Sequence, residues 1–526
     1  MDVSFNSNVM KAIISMLAFF TVVINQIIGQ FGTLDSTFNE DGKVTSEFSF
    51  GWDVAVALQS DGKIVVAGTV NNGANMDFGV IRYNTYGSLD TAFGVQGKIA
   101  TQIGSKDDYV GSIKIQPDGK ILVAGTPQDT IGHFALIRYL TDGVIDSTFG
   151  IDGIQTTTFD PFAYCTSMAI QTNGKIILAG HSGSEKVDFA LVRYHPDGTI
   201  DSSFGTVGKI TTDIGFEIDN GANAVAIQTD GKIVAGGFSH SYPVGDFCLI
   251  RYNVDGSLDS TFSMDGKVTT SISQFADNLS ALAIQSDGKI IAVGYTNSGD
   301  PNHMNYDFAV TRYNVDGSLD TDFGTDGKVL TSFGASDDAA HSVAIQPDGK
   351  IIVVRLTSYF QDSDFALARY NSDGTLDESW GTDGMLTTDF ALGSDGGRDV
   401  AIQQDGKIVS VGSYGNQGHI DLALARYISG LKVGVVNFSP AGNLLIYPNP
   451  IQDKVVLEYT LQQDEILNIE LYDIFGRLIK ILAFQVEKSK GAHQEFINID
   501  ENLNSGIYFL RLANHNGSIS IKLLKQ

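Results

Sequence analysis

Histidines, carboxylates and aromatic rings are the side chains of this chain from which chemistry could be built. His133, His181, His240, His303, His341 and His419 all fall in connections of variable length, and only His195 falls among turns of fixed length. Convergent imidazoles can ligate zinc or serve as bases. No two here have a ligand spacing such as His-x-x-x-His, and loops accept histidine more readily than packed strands, so they read as loop residues. No Ser-His-Asp arrangement or phosphate-cradling glycine loop occurs. Asp107-Asp108 and Asp337-Asp338 read as solvated loop charges. Recurrent Asp-Gly segments offer oxygen ligands of the kind calcium takes, yet none is followed by a complete twelve-residue loop with its terminal Glu. No catalytic or metal-ligating residue is therefore assigned, and no cofactor is expected, with calcium the open alternative. The aromatics are the stronger signal. Trp52, Tyr109, Tyr164, Tyr242, Tyr295, Tyr359 and Tyr414 project from the variable connections, one from each of seven repeated segments. Amphipathic rings of this kind stack on sugars and anchor protein contacts, which makes these the candidate ligand-binding residues.

The elements that must position them are repeats. An Arg-Tyr pair ends at Tyr83, Tyr139, Tyr194, Tyr252, Tyr313, Tyr370 and Tyr427. A glutamine followed four residues later by lysine stands at Gln59, Gln116, Gln171, Gln228, Gln285, Gln346 and Gln403. An aspartate in Leu/Ile-Asp-x-x-Phe/Trp stands at Asp35, Asp90, Asp146, Asp201, Asp259, Asp320 and Asp377. Such a period marks a repeat architecture. A residue present in every repeat is architectural, because an active site needs asymmetry, so these three series read as structural.

Each repeat predicts four strands. In the first these are Val54–Gln59, the apolar run Lys63–Gly68, Phe78–Tyr83, and the more polar Lys98–Ile103. Asp-Gly turns separate the first two and supply the positive φ of tight hairpins. Three strands apolar on both faces with a polar fourth describe a sheet packed between copies of itself, as in a β-propeller blade. The array opens with a fourth-strand segment, Lys43–Phe48, and ends on a third strand, Leu422–Tyr427. The expected fold is therefore all-β: a seven-bladed β-propeller closed by its N-terminal strand, leaving no open sheet edge. Lys114 stands where other repeats have alanine. Connections of fixed length alternate with variable ones, and the variable face is the expected functional face.

These repeats resemble the delta-60 repeat, a β-propeller family, through Ala344-Ile345-Gln346-Pro347-Asp348-Gly349-Lys350, Asp188-Phe189-Ala190-Leu191-Val192-Arg193-Tyr194 and Leu258-Asp259-Ser260-Thr261-Phe262. The departures are Gly132-His133 before Phe134, Arg355 in place of a glycine, and Trp380 in place of Phe. The resemblance implies a propeller and no particular activity.

After Tyr427 the repeat stops. Residues 429–443 read as a linker and 444–526 as a small Ig-like β-sandwich with alternating segments at Val455–Tyr459, Leu467–Tyr472 and Ile507–Leu512. This tail resembles the type A C-terminal sorting domain of type IX secretion cargo. The resemblance rests on Tyr447-Pro448-Asn449-Pro450, on Leu471-Tyr472-Asp473-Ile474-Phe475-Gly476-Arg477, on Gly506-Ile507-Tyr508-Phe509-Leu510, and on the closing Lys522-Leu523-Leu524-Lys525. It implies recognition by the type IX machinery and release or tethering at the outer surface of a Gram-negative cell. At the other end, Lys11 followed by the apolar run Ala12–Ile28 predicts a secretory signal peptide over residues 1–29, which leaves 30–428 to the propeller. No transmembrane span is expected in the mature chain.

The 61 acids against 34 bases give a formal charge of -27, which argues against nucleic acid, whose phosphates demand Lys and Arg. Two cysteines cannot make a disulfide framework. The composition is globular, with 43% hydrophobic residues. The functional expectation is a secreted or surface-tethered, non-catalytic binding or adhesion module with a glycan or protein ligand. The alternative is a propeller enzyme (lyase, hydrolase or quinone-dependent oxidoreductase) working in the central funnel.

Overall fold

The computed structural model describes residues 31–526 except 49, 130, 185, 216–218, 242–243, 298–305, 335–337, 358–362, 391–393, 417–418, 431–444, 452–453, 462–463, 474–477, 500–502, 504–505, 515–516 and 526. The expected signal peptide lies outside the described residues. The chain divides into two compact units, Met1–Gly430 and Leu431–Gln526. Their elements are all strands, and among the described residues no helix is long and apolar enough to cross a membrane.

In the first unit, five four-stranded antiparallel sheets follow one another along the chain. The first consists of Phe50–Leu58, Ile64–Asn71, Met76–Tyr83 and Lys98–Thr101. A further eight-stranded sheet contains two more such sets, joined by the single pairing of Leu356 with Gly396. The second strand of each repeat is apolar on both faces because both are covered. Ile64 to Val70 is buried throughout, as is Ile121–Pro127. Burying a Val or Ile side chain contributes about 1.5–3 kcal/mol, so these runs dominate each repeat's stability. The strands extend further than expected into the variable connections. Ile408–Asn416 and His419–Tyr427, for example, leave only two residues between them.

Among the described residues, no fourth strand follows the last repeat's third. Lys43–Ser46 fills the place, pairing antiparallel with Leu422–Ala425. The recurrent residues explain how neighbours hold together. Each Arg-Tyr tyrosine meets a hydroxyl on the preceding fourth strand, as in Tyr139 to Thr101 at 2.8 Å and Tyr252 to Thr212 at 2.9 Å. Tyr83 of the first repeat donates to Ser46 at 2.6 Å, which ties it to the N-terminal strand.

The recurrent arginine, aspartate and aromatic form a clasp. Arg193 donates to Asp201 at 2.6 Å, lies over the Phe204 ring, and reaches the Val254 carbonyl of the next repeat. In the last repeat the partners come from the other end of the chain. Arg426 donates to Asp35 at 2.8 Å, covers Phe38, and reaches the Thr85 carbonyl. Asp35 also accepts from the backbone N–H and hydroxyl of Thr37 at 3.0 and 2.7 Å, so the series caps turns as well as pairing charge. Trp380 takes the place of Phe in this clasp, fully buried beneath Arg369.

Two expectations about polar residues fail. Asp108 and Asp338 are fully buried, not solvated. Asp108 accepts backbone N–H groups from Ile103 at 2.7 Å and Gly104 at 3.0 Å, which fixes the connection leading into its strand. Asp338 accepts from the Phe333 N–H at 2.6 Å and pairs with Arg355, whose guanidinium packs over Phe333. Cys165 lies buried in the strand Ala163–Ile170, and both cysteines are free. Lys114 is exposed on its strand.

The second unit forms a three-stranded sheet, Leu445–Tyr447, Lys454–Leu461 and Gly491–Asn498. Its four-stranded sheet contains Glu465–Asp473, Leu478–Lys488, Gly506–Asn514 and Gly517–Lys525. The two sheets share a core that includes Val455 and Leu457 from the first, and Leu467, Ile469, Leu471, Leu510 and Leu512 from the second.

Candidate functional site at the strand bulges

Every inner strand is irregular near its start. In six repeats a single residue, five positions before the recurrent glutamine, stands out of register as a β-bulge: Gly111, Thr166, Asn223, Ser280, His341 and Arg398. In the first repeat the irregularity lies between Phe50 and Val54 and includes Asp53. A bulge re-aims a side chain that regular pairing would bury against the sheet's neighbour. Here all seven positions line one cavity of about 400 Å³. The bulges are secured from the adjacent repeat. Cys165 N–H donates to the Thr126 hydroxyl at 2.8 Å, and Val225 N–H to the Ser167 hydroxyl at 3.2 Å. Asp399 accepts from Val56 N–H at 2.8 Å and from the Ser342 hydroxyl at 2.6 Å, which joins the last repeat to the first and to the sixth.

The cavity has two different walls. Asp53, Arg398 and His341 make a charged and titratable side. Arg398 Nη1 lies 3.2 Å from His341 Nε2. Burial, together with the Arg398 charge, pushes the imidazole down to about 3, so it is neutral at ordinary pH. Burial raises the Asp53 carboxyl, and Arg398 opposes the shift. Tyr164, Phe238 and Tyr295 supply aromatic surface elsewhere in the lining. Between them lie amides and hydroxyls. Asn223 donates to Asn278 at 3.0 Å and to the Leu279 carbonyl at 2.7 Å, and Thr166 donates to the Ala222 carbonyl at 2.8 Å.

Of the expected aromatic residues, the structure brings Tyr164 and Tyr295 to this cavity. Tyr109 lies beside Tyr164, with ring centroids 6.3 Å apart. Tyr414 is placed differently: it is buried in a hydrophobic cluster against Phe390, because its strand extends through the position expected to be a loop. Tyr242 and Tyr359 lie outside the described residues, as does the side chain of Trp52. Among the histidines, His181 stacks on Tyr164 at 5.6 Å and burial lowers its pKa, while His133 is buried. His303 and the side chains of His240 and His419 lie outside the described residues. Of the bulge residues only His341 stood among the sequence candidates, read there as a loop histidine, and the others were missed. Their signal was present: five positions before an invariant glutamine, six repeats carry Gly, Thr, Asn, Ser, His and Arg in turn.

In the tail, Asn449 donates to the Lys522 carbonyl at 2.8 Å and accepts from Leu524 N–H at 2.9 Å, so the first and last motifs meet. Tyr447, Pro448, Pro450 and Lys522 are exposed, whereas Tyr508 packs partly against the core. Gly506 opens the strand Gly506–Asn514. Gly476 lies outside the described residues.

Repeated four-stranded sheets with an exported tail define the class: a β-propeller repeat protein carried out of the cell by a sorting domain. The family described as "Domain of unknown function (DUF5122) beta-propeller" matches six segments, 59–93, 116–149, 171–204, 228–262, 285–323 and 346–379. The secretion system C-terminal sorting domain matches residues 445–526, so the chain belongs among type IX secretion cargo, secreted or displayed at the cell surface. No curated protein matches it.

Solved structures similar to it include PorZ, an essential bacterial surface component of the type-IX secretion system of Porphyromonas gingivalis. The identity is 10%, over 89% of this chain and 68% of that one, at TM-score 0.31. An ulvan lyase, a polysaccharide lyase, is 13% identical over 72% of this chain and 95% of its own, at TM-score 0.44. Sqt1 of Chaetomium thermophilum is 14% identical over 73% and 97%, at TM-score 0.40. At these scores the likenesses carry no argument about activity.

Proposed function

We propose that this is an extracellular binding module, a seven-bladed β-propeller followed by an Ig-like sorting sandwich, whose ligand enters the cavity ringed by the bulges. The count of seven is supported by the closure. Each family match begins at the recurrent glutamine and takes in the following Leu/Ile-Asp, and the glutamine of a seventh, Gln403, has its Asp and Phe at Asp35 and Phe38.

One observation carries the binding reading. At six equivalent bulge positions the residue type runs from glycine to arginine on the same backbone, and all six positions line one cavity. Aromatic rings interleaved with amides and a few charged groups suit a glycan or a protein side chain. The test is a glycan array and a surface-protein screen with the secreted protein. Ligand binding should fall at least tenfold in Asn223→Ala and Tyr295→Ala while both variants still melt cooperatively, and unchanged affinity in both would overturn the reading.

A second reading, catalysis in the same cavity, has one observation in its favour: an imidazole and a guanidinium, groups that carry protons and bind oxyanions, stand 3.2 Å apart at His341 and Arg398. It predicts turnover of a bound substrate that His341→Asn abolishes while binding persists.

A further inference from the structure

We propose that the ligand of the bulge-ringed cavity is an acidic saccharide, a uronate, with its carboxylate on Arg398. The proposal rests on the binding reading above and specifies its chemistry. Arg398 occupies a position that Gly111 fills in the second repeat, so neither the bulge nor the strand requires a long side chain there. The chain holds 61 acids to 34 bases, and Arg398 is the only Lys or Arg among the described residues lining the cavity. A guanidinium placed in a cavity recognises planar oxyanions through paired N–H donors, a geometry lysine does not reproduce.

The rest of the lining fits the remainder of a sugar. Tyr164 and Tyr295 offer ring faces for the apolar side of a pyranose. Asn223, Asn278 and Ser280 offer donors and acceptors for hydroxyls, and Asp53 accepts from them. His341 beside Arg398 is neutral, so it adds a hydrogen-bonding group to that wall without a second full charge. An aromatic face, neutral amides, and a guanidinium with the Asp53 carboxyl beside it for hydroxyls together match a sugar ring that carries a carboxylate.

The test is calorimetric titration of the full secreted protein with oligosaccharides of glucuronate, and with the same oligosaccharides after conversion of the carboxylates to methyl esters. The acid form should bind at least tenfold more tightly than the ester. Arg398→Gln should remove that difference, and Arg398→Lys should restore it only in part. Equal affinity for acid and ester, or a difference that survives in Arg398→Gln, would overturn the proposal while leaving a neutral-glycan reading intact. Failure of both forms to bind overturns it as well, and the array and protein screen then decide the broader reading separately. Melting curves on both variants confirm folding. Arg398→Lys keeps the positive charge beside Asp53, so it separates loss of the paired donors from loss of the charge.

Discussion

Arg355 stands where the other repeats have glycine, and its guanidinium is buried against Asp338, Phe308 and Phe333. Restoring the repeat's glycine removes the cation and leaves a fully buried carboxylate. Removing one member of such a pair costs about 3–5 kcal/mol, because the other is stranded in a poor solvent for charge. Arg355→Gly should lose about that much in denaturant unfolding, and Arg355→Gly with Asp338→Asn should recover part of it. The departure at Arg355 was legible in the sequence, but its partner was not, since Asp338 looked like one of a pair of loop charges. The same blindness hid Asp108. A carboxylate that serves backbone N–H groups at a strand entry has no composition signature that separates it from a solvated one. The bulge residues were hidden for the opposite reason: attention to what recurs passes over the one position that changes from repeat to repeat.

Strand positions were well marked, because the spacing from aspartate to fourth strand is constant and the structure starts those strands at Lys98, Lys209 and Lys267. Strand ends on the variable side were not marked. Pairing continues there through polar residues such as His181 and Ser182, which carry no apolar alternation. At this level the clasp between repeats makes a prediction about acid. Asp377 is fully inside its clasp, where burial raises the carboxyl, but hydrogen bonds from Lys350 and Ser379 and the charge of Arg369 outweigh it and bring it to about 2. Asp146, Asp201 and Asp259 are likewise held well below the usual carboxylate range by their lysine, hydroxyl and arginine partners, against the pull of burial. A folded-state value below the unfolded one means stability that is present above about pH 4 and lost as pH falls through the folded value. Urea midpoints should therefore drop steeply between pH 4 and 2. Asp201→Asn should be less stable at pH 7 and show a shallower drop, and an identical pH slope in the variant would contradict this account.

For the whole molecule, the strand Lys43–Ser46 is a small segment with a large task, since it completes the sheet of the last repeat and takes the tyrosine of the first. Deleting residues 31–48 should lower the melting temperature by more than any single clasp substitution and open the Leu422–Ala425 edge to proteolysis. Limited digestion with mass mapping would show it, and an unaltered digestion pattern would argue that the ring stands without this strand. The all-β architecture was legible in three residue series. The bulge-ringed cavity was not, because it is assembled from seven segments that only closure brings together.

Closure also sets an order of events. Asp35 and Arg426 are 391 residues apart, and their pairing belongs to the step that completes the last sheet. In a chain that emerges N-terminal end first, the early strand waits, unpaired, until nearly the whole repeat region has followed. The residues that release it from waiting are adjacent in sequence to the sorting domain. Arrival of the export signal and completion of the cargo therefore fall at almost the same moment, so a chain that displays its signal has just acquired everything it needs to finish folding.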